Sequence, residues 1–140
     1  MTSPAYASRS ALDVVVELGR LLAAGRLDAI RAMYHPDARL VTMASGPEPL
    51  PPDRAYEALM AALRRASYSP PPSIEPVAID DVAALGSAHI RYPTPGGGHA
   101  DVRRVWLFTV EDGLLFRSVP LQSESEAREL YAREGRALGF

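Results

Sequence analysis

The chain has 140 residues, the length of one ordinary domain. Its formal net charge is −2 and its arginines are scattered, so it lacks the basic surface that would attract nucleic acid or anionic lipid. It contains no cysteine, which excludes a disulfide framework, a thiolate nucleophile and a cysteine-ligated zinc site.

The N-terminal residues 1–8 are small and mostly polar, which predicts a flexible arm ahead of one domain over residues 9–140. The stretch from Met1 to Arg9 lacks the apolar run of a secretory signal. No segment approaches the roughly 20 apolar residues of a membrane span. We therefore expect a cytoplasmic protein that contacts neither membrane nor nucleic acid.

Helical signals dominate the first part of the domain. Ser10, with Asp13 three residues later, predicts the capped start of a first helix, and Gly25 suits its left-handed end. A short second helix follows and is closed by Pro36. Its apolar side carries Leu27, Ile30 and Tyr34.

A first strand is predicted from Ala38 to Met43. The segment from Gly46 to Pro52 contains four prolines and is predicted to form no regular structure. A third helix begins near Asp53. Its apolar stripe consists of Tyr56, Leu59, Met60 and Leu63.

The second half is rich in β-branched and aromatic residues and predicts strands at residues 73–79, 83–92, 100–110 and 114–121. Asp112-Gly113 predicts the tight turn of the last hairpin. Ser123 and Glu126 form a capping-box pattern that opens a C-terminal helix.

This order of elements predicts an α+β domain. We expect a cone-shaped, curved, mostly antiparallel sheet packed on the three helices of the N-terminal half, with the C-terminal helix added. A sheet curved over helices leaves a concavity, the usual location of small-molecule sites.

Two runs carry a resemblance to a known family. Residues 21–38 (LLAAGRLDAIRAMYHPDA) resemble the opening of SnoaL-like and ketosteroid isomerase-like proteins, within the nuclear transport factor 2-like superfamily. Residues 105–115 (VWLFTVEDGLL) resemble their last hairpin. The resemblance implies a cone fold, a homodimer that pairs through outward residues such as Ile90 and Val105, and a small hydrophobic ligand. Members include isomerases, polyketide cyclases, dehydratases, epoxide hydrolases and non-catalytic binding domains, so the site must decide the function.

The catalytic groups of two family branches are missing from the matching positions. The base aspartate of ketosteroid isomerases falls at Thr42, their tyrosine donor near Leu18, and their protonated aspartic acid near Val105 or Trp106. The arginine and two aspartates of the epoxide hydrolases fall at Ser87, His89 and Pro120. Neither mechanism is expected here.

Counting back from Gly113 along the strands, with alternate residues on one face, predicts which side chains point into the cone. We expect ten inward residues: Leu40, Thr42, Ser87, His89, Arg91, Arg104, Trp106, Phe108, Phe116 and Ser118.

Among these, His89 is the candidate acid/base, because imidazole exchanges protons near neutral pH, with Arg91 beside it as a second catalytic residue. The alternative is a histidine on the outer face or one held by a structural hydrogen bond. Arg91 and Arg104 suit a carboxylate or enolate; otherwise they are solvated or paired, for example with Glu75 or Asp101.

The remaining residues of the set are predicted to bind the ligand. Trp106, Phe108 and Phe116 offer flat apolar walls, with plain core packing as the alternative. Thr42 and Ser118 offer single hydrogen bonds, or are core hydroxyls bonded to backbone.

No metal or other cofactor is expected. The pairs His35/Asp37 and His99/Asp101 supply too few convergent ligands for a metal site. The glycines at 96–98 lie inside a hairpin, where no phosphate-binding loop is expected.

Two functional hypotheses follow. The first is a cofactor-independent enzyme of isomerase, cyclase or dehydratase type that acts on a small hydrophobic metabolite through His89. The second is a non-catalytic ligand-binding or dimerising module that has lost the catalytic carboxylates. The side of the sheet on which His89 lies distinguishes them.

Overall fold

The structure is a computed structural model and describes residues 9–42, 46–65 and 73–140. The predicted arm at residues 1–8 lies outside the described residues. Within the described ranges, no helix has the length and apolar character needed to cross a membrane.

Helix α1 spans Ala11–Ala23 and begins as predicted at Ser10, whose side chain accepts a hydrogen bond from the Asp13 amide while Asp13 caps in return. Gly25, at φ 71°, adopts the left-handed conformation that follows the helix. Helix α2 spans only Leu27–Arg31.

Strand β1 (Tyr34–Val41) begins four residues earlier than predicted, so Tyr34 belongs to the strand and not to helix α2. Its pairing is irregular between Tyr34 and Arg39, a region that includes Pro36. The proline-rich segment also departs from the prediction, because Pro49–Leu50 form a short edge strand, β2. Helix α3 then spans Pro52–Arg65, starting on a proline, which has no amide hydrogen to lose there.

The later strands are β3 (Glu75–Ala78), β4 (Ala83–Pro93), β5 (His99–Glu111) and β6 (Leu114–Leu121). They join β1 and β2 in one six-stranded sheet of order β2-β1-β6-β5-β4-β3. Every pairing is antiparallel except β1 with β6. The β5–β6 turn is tight as predicted, with Asp112 and Gly113 both at positive φ.

Helix α4 (Glu124–Glu134) starts after Ser123, whose hydroxyl accepts the Glu126 amide hydrogen bond. The other half of the predicted capping box differs, because the Glu126 carboxylate accepts from the Gln122 amide instead. A 3₁₀ turn, Gly135–Ala137, ends the fold. The predicted α+β class is therefore confirmed.

The sheet separates two apolar clusters and so has two distinct faces. The inner face lies on the side of α1 and α3. Its residues Ala84, Phe108, Val110 and Leu115 pack against the buried apolar residues of α1, such as Val15. The outer face carries Leu85, Val105 and Leu107 against α4. Val105 is therefore covered by α4 and is not available for the pairing surface that the sequence predicted.

Gly86 explains how closely α1 and the sheet approach on the inner face. A Cβ atom at this position would lie 2.8 Å from Ile74 Cγ2 and 3.1 Å from the Phe108 ring. Contacts this short require the neighbours to move, so glycine allows the base of the domain to pack tightly.

Candidate functional site

The strand registers arrange the inner face in rows. Phe108 lies opposite Ala84 on one side and Ser118 on the other, and Ser118 is the partner of Leu40. In the next row Trp106 lies between Gly86 and Pro120. The row after that brings Arg104 beside Ala88. Leu40, Arg104, Trp106, Phe108 and Ser118 therefore share this face, as the sequence predicted.

Burial along β5 shows where this face is open. Val110 and Phe108 are buried, whereas Trp106 and Arg104 are only partly buried. Helix α1 packs on β3, β4 and β5, whereas α3 packs on β1 and α2. Along β5, the inner face is thus buried at Val110 and Phe108 and becomes more accessible toward Arg104.

Phe108 is part of the solid base, because it belongs to the buried cluster around α1. Core packing, the alternative that the sequence also allowed, therefore replaces its predicted role as a ligand-binding wall. Leu40 is also buried, in a small cluster with Ala38 and Ala55. Thr42 is partly buried at the end of β1.

Two hydroxyl groups stand out on the inner face, those of Tyr34 and Ser118. Tyr34 pairs with Leu115 at the start of β1, and Ser118 is only 7% exposed. Within the described part of the chain neither hydroxyl is hydrogen-bonded, yet neither is sealed from solvent. A mostly buried polar group without a protein partner ordinarily has water or a ligand beside it.

Tyr34 keeps its proton over the whole physiological range. Burial raises the pKa of Tyr34 to about 12, and the nearby Tyr56 hydroxyl on α3 contributes to the rise. Its hydroxyl is therefore a stable hydrogen-bond donor. Sequence reasoning missed this residue because Tyr34 was placed on a helix; the following Pro36 was the signal that the helix had already ended.

The predicted facing of β4 is wrong by one residue. Ser87 pairs with Val105 and His89 with Arg103, which places them with Arg91 on the outer face, opposite to Trp106 and Phe108. His89 is exposed, and Arg91 bonds the Asp101 carboxylate at 3.1 Å. A strand has period two, so one residue of error in counting reverses every side chain. None of these three residues can contact a ligand on the inner face.

Phe116 also faces outward, for a different reason. A register shift between Thr109 and Val110 pairs Val110 with Leu115 but Thr109 with Arg117, so Phe116 is an extra residue in β6. Its ring contacts His35 edge-on at 5.5 Å and lies 3.8 Å below the Arg117 guanidinium. The bulge removes Phe116 from the predicted ligand wall.

The His-x-Asp pairs have local roles. The Nδ1 atom of His35 accepts the Asp37 amide hydrogen bond, and its Nε2 lies 3.4 Å from the Asp112 carboxylate. Among the residues that the structure describes, no three histidine, aspartate or glutamate side chains converge as metal ligands.

A surface groove of about 420 Å³ lies elsewhere, where Arg9 and Ser10 meet the β5–β6 turn. It is lined by charges of both signs, including Asp81, Glu111 and Arg136. None of the predicted site residues lines it. The groove therefore does not correspond to the inner-face site.

The sequence matches the model of the SnoaL-like domain over residues 15–118. The chain belongs to this SnoaL-like family. The match runs from within α1 to Ser118 in β6 and includes the inner-face residues named above except Pro120. No curated protein gives a significant match.

Several solved structures share this fold. A proposed polyketide cyclase from Sinorhizobium meliloti superposes with a TM-score of 0.61 at 23% identity, covering 78% of this chain and 94% of that one. TerC, crystallised with polyporic acid, gives 0.60 at 15% identity, with 86% and 96% covered. A nuclear transport factor 2-like protein from Burkholderia pseudomallei gives 0.61 at 13%, with 85% and 92% covered. The homodimer implied by the resemblance stays a prediction.

Proposed function

We propose that this SnoaL-like domain binds a small, flat, mostly apolar molecule between the inner face of the sheet and helix α3. The observation that carries the proposal is a pair of hydroxyls, Tyr34 and Ser118, that have no partner among the described residues, are not sealed from solvent and lie in mostly apolar surroundings. A few polar groups placed in an apolar concavity are typical of ligand sites.

The apolar part of the ligand is matched by half-buried side chains. Trp106 on β5 and Leu59 and Leu63 on α3 pack against the inner cluster, yet remain partly accessible. Aromatic and aliphatic walls favour a ring system, and tryptophan in particular presents a large flat surface. The Tyr34 hydroxyl then donates a hydrogen bond to a carbonyl or phenolic oxygen of the ligand.

Arg104 is placed to bind an acidic group of the ligand at the more accessible end of the inner face. It is partly buried, two residues from Trp106 on the same face, and makes no ion pair or hydrogen bond to the described residues. Guanidinium groups bind carboxylates and enolates through charge-assisted hydrogen bonds. This retains the role that the sequence suggested for Arg104.

Binding without acid/base catalysis has more support than the histidine enzyme. The inner-face residues of β1, β4, β5 and β6 in the described ranges include no aspartate, glutamate or histidine. Residues 43–45 and 66–72 contain none of these residue types either. Glu48, which precedes β2, is exposed. A base that abstracts a proton must lie within hydrogen-bonding reach of its substrate, and His89 on the outer face does not.

The chain has a single tryptophan, so the emission of Trp106 reports on this site alone. Polyporic acid and the apolar anion anilinonaphthalene sulfonate serve as probes. We expect both to change Trp106 fluorescence. Tyr34→Phe and Ser118→Ala should each weaken polyporic acid binding roughly three- to tenfold, the value of one hydrogen bond.

Matched control variants are available on the other face. Ser87→Ala removes a hydroxyl that is 8% exposed, and Tyr131→Phe removes a tyrosine hydroxyl on α4. Both controls should leave the affinity unchanged. The proposal would be contradicted if neither probe changed the Trp106 emission, or if the control variants lost as much affinity for polyporic acid as Tyr34→Phe and Ser118→Ala.

A further inference from the structure

We propose a second binding site, for a small oxyanion, on the outer face where Arg39 of β1 and Arg117 of β6 lie side by side. This site is independent of the inner-face ligand. Its basis is the buried guanidinium of Arg117, which forms no ion pair within the described residues.

Arg117 is only 8% exposed and has no carboxylate within ion-pair distance in the described part of the chain. Its Nη1 donates to the carbonyl oxygens of Asp37 and Phe116, which fixes the guanidinium over the Phe116 ring. Its Nε is sealed from solvent and has no hydrogen-bond partner among the residues that the structure describes. Burying an arginine in this way is costly unless a counter-charge is present.

Arg39 increases that cost. It is the direct register partner of Arg117 in the parallel β1–β6 pair, and like charges opposite each other are destabilising. Arg39 is exposed, and its Nη1 donates only to the Ala38 carbonyl at 2.7 Å. Burial lowers the pKa of Arg117, and the positive charge of Arg39 lowers it further.

The surrounding charges leave the pair with a positive excess. Arg136 from the 3₁₀ turn is paired with Glu111 at 3.4 Å. The Asp37 and Glu111 carboxylates attract Arg117 at longer range, but neither forms an ion pair with it. His35 is engaged with Asp112. Within the described residues, Arg39 and Arg117 together therefore face one unpaired carboxylate, that of Asp37.

An oxyanion that bridges the two guanidiniums would offset this charge. Phosphate and carboxylate oxygens accept charge-assisted hydrogen bonds from guanidinium groups. At Arg117, Nη1 is occupied by its two carbonyl contacts and Nε is sealed, so Nη2 is the donor that would hold the anion. The group belongs to a free small molecule in this proposal. A carboxylate on a second copy of the chain would supply the same chemistry. The experiment must distinguish that occupant from a free anion.

The test measures thermal unfolding of the full chain against inorganic phosphate and acetate, with ionic strength held constant by sodium chloride. We expect phosphate, and more weakly acetate, to raise the unfolding temperature. Arg39→Gln should weaken the apparent phosphate affinity by about tenfold or more, as for loss of a charge-assisted bond. Arg103→Gln is the matched control, since Arg103 is an exposed outer-face arginine without an ion pair in the described ranges.

Arg117→Lys provides a second variant that keeps the charge and removes the fork; where it folds, it should also lose the phosphate response. The arginine Nε–Hε signal of Arg117 should shift on phosphate addition in wild type. The proposal would be overturned if phosphate raised the unfolding temperature no more than chloride does. It would also be overturned if Arg39→Gln and Arg103→Gln reduced the phosphate response equally. Phosphate that dissociates an oligomer in sedimentation experiments would overturn it too, because the occupant would then be a second copy.

Discussion

The two faces of the sheet differ in how their apolar surface is covered. On the outer face, Leu107 is fully buried against the α4 layer, with Val105 and Leu85 beside it. On the inner face, neighbouring Trp106 stays partly accessible. Consecutive residues of one strand thus meet a solid layer on one side and a partly accessible surface on the other.

Polar groups without a protein partner occur on both faces within the described residues. On the outer face, the Thr109 hydroxyl donates to the Arg136 carbonyl and the Tyr131 hydroxyl donates to Asp80, whereas the Ser87 hydroxyl and the Arg117 Nε have no partner there. On the inner face, the Tyr34 and Ser118 hydroxyls have none.

The largest expected effect compares one leucine on each side. Leu107→Ala should lower the free energy of unfolding by roughly 2–5 kcal/mol, because the side chain is fully buried and leaves a cavity. Leu59→Ala should cost less than half as much, because Leu59 on α3 is already partly accessible. Urea unfolding with a shared m-value provides the measurement. Equal losses would mean that the space beneath α3 is packed as tightly as the outer face.

A smaller effect concerns pH. The pKa values of Tyr34 and Tyr131 are both raised to about 12, mainly by burial, and for Tyr131 also by Asp80. A raised pKa means that folding favours the protonated hydroxyl. The associated stability is complete below about pH 10, the unfolded tyrosine value, and is lost as the pH rises toward 12. Tyr34→Phe should therefore flatten the loss of stability above pH 10.

Asp80→Asn separates the two tyrosines. It removes the carboxylate charge beside Tyr131 while keeping an oxygen for the Val82 and Ala83 amides. The Tyr131 hydroxyl should then ionise at lower pH, and Tyr34 should be unaffected. Tyrosinate absorbance, compared between the chain and its Tyr34→Phe and Tyr131→Phe variants, assigns the ionisation of each tyrosine. A shift in the Tyr34 pKa caused by Asp80→Asn would contradict the separation of the two environments.

Features with a local cause could be predicted from the sequence. The Ser10–Asp13 cap, the turn at Asp112-Gly113 and the start of α4 after Ser123 depend on a few adjacent residues. The fold class followed from their order. The residues of β5 were also assigned to the correct face, since the count begins at the nearby turn. Ser118 was assigned correctly only because the bulge at Phe116 shifts the alternation of β6 by one residue.

The site was harder to predict because facing depends on register over long distances. One residue of error placed Ser87, His89 and Arg91 on the wrong face, and a bulge that has no clear sequence mark turned Phe116 outward. Tyr34 was missed because the end of α2 was placed too late. These positions are set by pairing between strands distant in the chain, which local propensity does not encode.

The most direct test of the open inner face is a crystal structure of the chain soaked with polyporic acid. We expect density for the compound against Trp106, with one of its oxygens within hydrogen-bonding distance of the Tyr34 hydroxyl. Apolar side chains packed directly onto the Tyr34 and Ser118 hydroxyls, with neither compound nor water between them, would contradict it.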